Sequence, residues 1–117
     1  MADIANAALG ATIGLAAKAG KLVCGTPMIC EALAGKGKRP VLVLEARDTS
    51  ENTGKRLRDK CLFYKTRHEV LPMTMDELSS FVGKRALIAA VGVCDDGLAK
   101  AILKKLDAAD APTRSAE

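Results

Sequence analysis

Pro40-Val41-Leu42-Val43-Leu44 is apolar at every position. A strand with one wet face alternates apolar and polar residues, so an unbroken run suits a strand covered on both faces. Ala86-Leu87-Ile88-Ala89-Ala90-Val91-Gly92-Val93 has the same character. Residues 41–44 and 87–91 are therefore expected to be the two central strands of one sheet with helices on both sides.

The flanking segments supply those helices. Ile4, Ala8, Ala11, Leu15 and Ala19 recur at helical spacing before the stop at Gly20, which predicts a helix over 4–19. Lys21-Leu22-Val23-Cys24 follows as a short strand. Thr26 is read as an N-cap with Pro27 at the first helical position. The helix they open carries Met28, Ile29 and Leu33, and the basic loop of Lys36, Lys38 and Arg39 comes after it. Asp48, Thr49 and Ser50 offer caps for a third helix over 51–63, with Leu57, Cys61 and Leu62 on its apolar face. Residues 69–72 read as a strand. Thr74 caps a fourth helix with Leu78 and Phe81 inward, stopped by Gly83, and Asp95 or Asp96 caps a fifth with Leu98, Ala101, Ile102 and Leu106 on one stripe. The order αβαβαβαβα implies an α/β fold, a three-layer α-β-α sandwich around a four-stranded mixed, largely parallel sheet. Residues 1–106 are expected to form a single domain, and 107–117, small, polar and Pro-containing, a flexible tail.

The chain has 117 residues, 49% hydrophobic but only 3% aromatic, with no Trp, one Tyr and two Phe. A domain of this size buries a core without disulfides or metal. Scarce rings argue against single-strand binding by base stacking. The net charge of +4 and a pI near 9.0 favour a polyanionic partner. Cys24, Cys30, Cys61 and Cys94 include no Cys-x-x-Cys pair, and there is one His, so neither zinc nor a disulfide is expected. The first residues lack a basic signal-peptide region and no apolar run reaches a membrane span, which points to the cytoplasm and away from membranes.

No catalytic constellation is visible, and no cofactor is expected. There is neither Gly-x-Gly-x-x-Gly nor a Walker loop. Gly35-Lys36-Gly37-Lys38 comes after a helix and before a strand, the reverse of a phosphate cradle. His68 reads as structural, Asp95-Asp96 as a cap and Cys24 as a buried strand thiol. Cations crowd the third helix and its exit at Lys55, Arg56, Arg58, Lys60, Lys65 and Arg67, which is read first as a solvated face. Lys84-Arg85 sits at a loop tip before the last strand, and Lys18 and Lys21 flank the first.

Several words resemble the ribosomal protein L-seven-Ae/L-thirty-e family, especially its bacterial YlxQ-type branch. They are Gly14-Leu15-Ala16-Ala17-Lys18-Ala19-Gly20-Lys21-Leu22-Val23-Cys24-Gly25, Leu44-Glu45-Ala46-Arg47-Asp48-Thr49-Ser50-Glu51-Asn52-Thr53, Lys60-Cys61, and Asp76-Glu77-Leu78 through Gly83-Lys84. The resemblance spans about residues 12 to 106 and implies binding of structured RNA, rRNA foremost, by a ribosomal or ribosome-associated protein. The family reads kink-turns with the glycine-led start of the second helix and the loop before the last strand. Carried over, the RNA-binding set is Lys21, Gly25, Thr26, Pro27, Met28, Arg47, Lys84 and Arg85. Kink-turn binders carry Asn or Lys, then Glu or Gln, then Lys three residues on. Here those positions hold Pro27, Met28 and Glu31, which implies a non-standard reader. DNA is not expected as a partner. The alternative is a protein-interaction module on the same fold that has lost RNA.

Overall fold

The structure, a computed structural model, describes residues 2–115. Its elements are α1 (Ala2–Lys18), β1 (Leu22–Cys24), α2 (Thr26–Leu33), β2 (Leu42–Glu45), α3 (Glu51–Phe63), β3 (Arg67–Val70), α4 (Met75–Phe81), β4 (Ala90–Val93) and α5 (Asp96–Ser115). The strands lie in the order β1-β4-β2-β3, so the two apolar runs do form the centre of the sheet. All four residues of β2 and of β4 are buried.

Two hydrophobic cores flank the sheet and make the three layers. On one side Leu9, Ile13, Leu78, Ile102 and Leu106 from α1, α4 and α5 pack on Leu42, Leu44, Val91 and Val93. On the other, Ile29 and Leu33 of α2 and Leu57 and Cys61 of α3 pack on Val43 and Ala90. Successive side chains of a strand point to opposite faces, which is how one all-apolar run serves both cores.

The sheet is mixed but not largely parallel. β2 pairs parallel with β3, whereas β4 runs antiparallel to both β1 and β2. β1, β2 and β3 thus point one way, and the reversed β4 lies between the first two. A helix between strands suggests a parallel crossover. The path from α4 to β4 instead returns along residues 82–89 and enters the sheet from the end at which β3 leaves it.

The apolar runs outlast their ladders. Leu87 is 61% exposed and Val41 is 40% exposed, both outside the strands. With β1 three residues long and β2 four, β4 has no more partner length to pair with. β3 ends at Val70 rather than Pro72, because β2 stops opposite it at Glu45. Leu62 is also exposed, since it sits about 100° around α3 from the buried stripe of Gly54, Leu57 and Cys61. Phe81 is only partly inward, its ring edge lying where Gly10 leaves room for it. In α5 the buried stripe is Ala99, Ile102 and Leu106, with Ala101 facing solvent. The helix continues to Ser115, so the segment from Asp107 is joined to it as helix.

Capping follows the sequence at α3, α4 and α5. The Ser50 hydroxyl accepts the Thr53 N–H, Thr74 and Glu77 form a reciprocal capping box, and Asp95 accepts the Leu98 N–H at 2.9 Å. At α2 the cap is Gly25, not Thr26. Gly25 has φ 94°, and no side chain caps the helix. Pro27 therefore stands second in the helix, where its missing N–H is still one of the unpaired ones.

One charged side chain is buried in the sheet. Glu45 is 5% exposed and accepts a hydrogen bond from His68 Nε2 at 2.7 Å, while Arg58 Nη1 lies 4.0 Å away. A Cβ on Gly54 would stand 2.7 Å from Glu45 Oε2, so the glycine makes room for this carboxylate. All four cysteines are free thiols. Among the described residues no helix is long and apolar enough to cross a membrane, and no cluster of His, Cys, Asp or Glu is placed to hold a metal.

Candidate nucleic-acid interface

Because β1, β2 and β3 share a direction and β4 opposes them, one rim of the sheet gathers three strand exits and one strand entry. Gly25 follows β1, Arg47 follows β2, and residues 84–89 lead into β4. Backbone hydrogen bonds tie these segments together. Gly25 N–H donates to Ala90 O at 3.0 Å, and Ala46 N–H donates to Ala89 O at 2.7 Å. The Thr49 hydroxyl adds a bond to Ala89 O at 3.2 Å.

Within this rim Gly25 turns the chain into α2 through a positive φ that other residues rarely adopt. A Cβ there would meet nothing within 4 Å, so the backbone is open to close approach from outside. Pro27 and Met28 are exposed and Thr26 half-buried, and the first N–H groups of α2 face the same opening. Arg47 is exposed while its backbone is held by Met73 O at 2.9 Å. Lys84 and Arg85 are exposed beyond the end of α4, where Lys84 N–H donates to Ser79 O at 2.9 Å. The Ser79 hydroxyl holds the other side of that loop through Ile88 N–H at 2.8 Å. Lys84 lies close enough to β1 to act on the Cys24 thiol. Burial raises that thiol's pKa, and the Lys84 charge works against the rise.

Seven of the eight sequence-derived residues thus lie on or beside one rim. Lys21 does not. It precedes β1, and its carbonyl accepts the Cys94 N–H at the far end of the sheet. Four residues of extended chain separate it from Gly25, about 13 Å. Glu31 lies further along α2, exposed. Sequence reasoning missed Leu87, which the structure exposes on the rim loop. Its apolar surroundings gave no signal; only the shortness of the partner strands would have shown that the run could not all be paired.

The rim has no group poised for bond making. The nearest carboxylate–imidazole pair, Glu45 and His68, is packed among β2, β3 and α3 rather than facing the opening. What it offers is cations, free N–H groups and exposed apolar side chains.

No protein-family model matches the chain. It is 34% identical over 95 residues to the RNA-binding protein YlxQ of Bacillus subtilis, covering 81% of this chain and 91% of that protein. It is 33% identical over 88 residues to YlxQ of Enterococcus faecium, covering 75% and 81% respectively. Among solved structures, a Bacillus halodurans protein of unknown function superposes with a TM-score of 0.75 at 28% identity, over 85% of this chain and 96% of that one. A Giardia lamblia 15.5kD RNA binding protein shares the fold, with a TM-score of 0.68 at 14% identity over 88% and 85% of the two chains. The chain belongs to the YlxQ family, the bacterial branch of the L-seven-Ae/L-thirty-e type.

Proposed function

We propose that this chain binds structured RNA, rRNA foremost, through the rim of Gly25, Thr26, Pro27, Met28, Arg47, Lys84 and Arg85, as a ribosomal or ribosome-associated protein and not an enzyme. One observation carries the reading. Arg47, Lys84 and Arg85 are exposed and make no ion pair among the described residues, beside the open N-terminus of α2, in a chain whose relatives are named for RNA binding. Cations without partners on the protein are free to neutralise phosphates, and helix N–H groups suit the same ligand.

The way base edges are read differs from the usual kink-turn reader. Pro27 offers neither a side-chain donor nor an N–H, and Met28, 55% exposed, offers only polarisable surface. Leu87 adds a second exposed apolar side chain. Each suits the face of an unstacked base. It also suits a protein surface, which favours the second reading, a protein-interaction module.

Fluorescence anisotropy against a kink-turn, rRNA fragments and a straight A-form duplex separates the two. RNA binding weakens steeply with salt, and Lys84→Gln with Arg85→Gln lowers the log–log salt slope by about two. Glu31→Lys strengthens kink-turn binding, and the duplex gains only the charge effect. Absence of salt-sensitive binding to any of these RNAs refutes the reading and leaves the protein-interaction module.

A further inference from the structure

The opposite rim of the sheet carries a second set of cations. Lys21 precedes β1, Lys36, Lys38 and Arg39 precede β2, and Lys65 precedes β3. None of the five makes an ion pair among the described residues. Lys21 and Lys38 both act on the Cys94 thiol at the end of β4, lowering a pKa that burial raises, so they lie close together. Carboxylates near this end include Asp95, which caps α5, the exposed Asp96, Glu69, which is paired with Arg67, and the exposed Glu31, whose carbonyl accepts the Lys36 N–H.

This rim also holds two of the three aromatic rings. Phe63 and Tyr64 meet edge to face with centroids 4.8 Å apart. The Arg39 guanidinium lies 5.7 Å from the Tyr64 ring centre and donates to Tyr64 O at 2.7 Å. Phe63 is 75% exposed, the ring that the composition did not promise. A groove of about 280 Å³ opens on this rim, lined by Arg39, Pro40, Val41, Tyr64, Lys65 and Thr66.

Lys65 supplies an independent sign. α1, α2, α3 and α4 end in the same hydrogen-bonded turn, in which one residue takes a left-handed conformation. Gly20, Gly35 and Gly83 fill that place in three of them, but Lys65, at φ 56°, fills it after α3. A side chain in this conformation costs stability that glycine does not. The strained lysine is exposed and lines the groove.

We propose that this second rim binds an unpaired RNA segment, its phosphates on Lys21, Lys36, Lys38 and Lys65 and a base on Phe63. The partner is single-stranded because an exposed ring offers stacking only to a base that is not already stacked. The surface is separate from the first rim and does not depend on how that rim reads RNA. With both rims in use, the protein joins a structured element to a neighbouring single strand across the length of the sheet.

The test uses the full chain and a fluorescein-labelled oligouridylate of about ten nucleotides, within the site sizes of single-strand binders. Wild type binds it with a marked salt dependence. Changing Lys36, Lys38 and Lys65 together to Gln lowers the salt slope by about two, at roughly 0.7 per single-strand phosphate contact. Phe63→Ala weakens binding at least about five-fold, and Phe63→Tyr restores it. Lys84→Gln with Arg85→Gln weakens it less than the change of Lys36, Lys38 and Lys65. Lys65→Gly separates stability from function, since it raises the melting temperature while weakening the oligonucleotide complex. Three results overturn the inference: no oligouridylate binding where a structured RNA still binds; binding abolished by the Lys84 and Arg85 changes but indifferent to the second rim; or polyglutamate bound more tightly than the oligonucleotide, which makes the partner an acidic protein. The first leaves the reading of the other rim standing.

Discussion

Removing the imidazole of His68 tests whether the buried carboxylate of Glu45 is held by its partner. Glu45 is 5% exposed, and its short contact is the 2.7 Å bond from His68 Nε2. That nitrogen carries the proton, because a carboxylate oxygen can only accept. A hydrogen bond to a charged group contributes about 1.5–3 kcal/mol, and a fully buried pair broken on one side costs about 3–5 kcal/mol. Arg58 remains 4.0 Å away, but its side chain is half exposed, so it compensates only in part. His68→Ala is therefore expected to cost about 3 kcal/mol, roughly 12 °C in melting temperature for a domain of this size. Replacing both residues together, Glu45→Leu with His68→Leu, removes the buried charge with its partner and returns stability to within about 1 kcal/mol of wild type. Urea unfolding of Glu45→Leu, His68→Leu and the double variant closes the cycle. If the single effects add to within about 0.5 kcal/mol, the two side chains are not coupled and the reasoning fails.

Two further predictions concern packing and ionisation. Gly14→Ala is expected to destabilise more than Gly10→Ala in thermal melts, because its Cβ would stand 2.7 Å from the Phe81 carbonyl oxygen, whereas Gly10 meets only a partly exposed ring that can swing outward. Equal losses, or a gain at Gly14 from helix propensity, would contradict this. Burial first, then Cys30 and Glu45, lifts the Cys61 thiol from its ordinary 9.0 to about 11. The folded state thus holds the proton more tightly, and the stability this brings is complete below pH 9 and lost as pH rises through about 11. A Cys61→Ala variant should show a flatter alkaline limb in stability against pH, and an unchanged limb would count against the shift.

The layers of this fold were legible because they rest on local chemistry. An unbroken apolar run, a hydroxyl before a helix and a glycine after one each act within a few residues. Ser50, Thr74 and Asp95 do what their types suggest. Strand direction was not legible, since the reversal of β4 is decided by which edges remain open when it arrives. Leu87, inseparable in sequence from the buried Val91, shows the same limit. At the candidate site Lys84, Arg85 and the glycine-led turn could be anticipated as a pair of loops. Lys21 was misplaced because adjacency to a strand does not say which end of the sheet its neighbours occupy. The link between Glu45 and His68, 23 residues apart, arises only when β2 and β3 pair.

The position of β4 also bears on how the chain matures while it is being made. β1 is complete by Cys24 and β2 by Glu45, yet the strand that joins them is not finished until Val93. As the chain leaves the ribosome, β2 and β3 can pair early, but β1 has no neighbour to bond with for some seventy residues of synthesis. Its backbone groups, and the opened flank of β2, must stay in water or find a temporary cover throughout that interval. The unit of folding is therefore nearly the whole protein, with no self-sufficient half. A chain halted before residue 90 would present two unsatisfied strand flanks, which makes such fragments natural clients for chaperones or proteases.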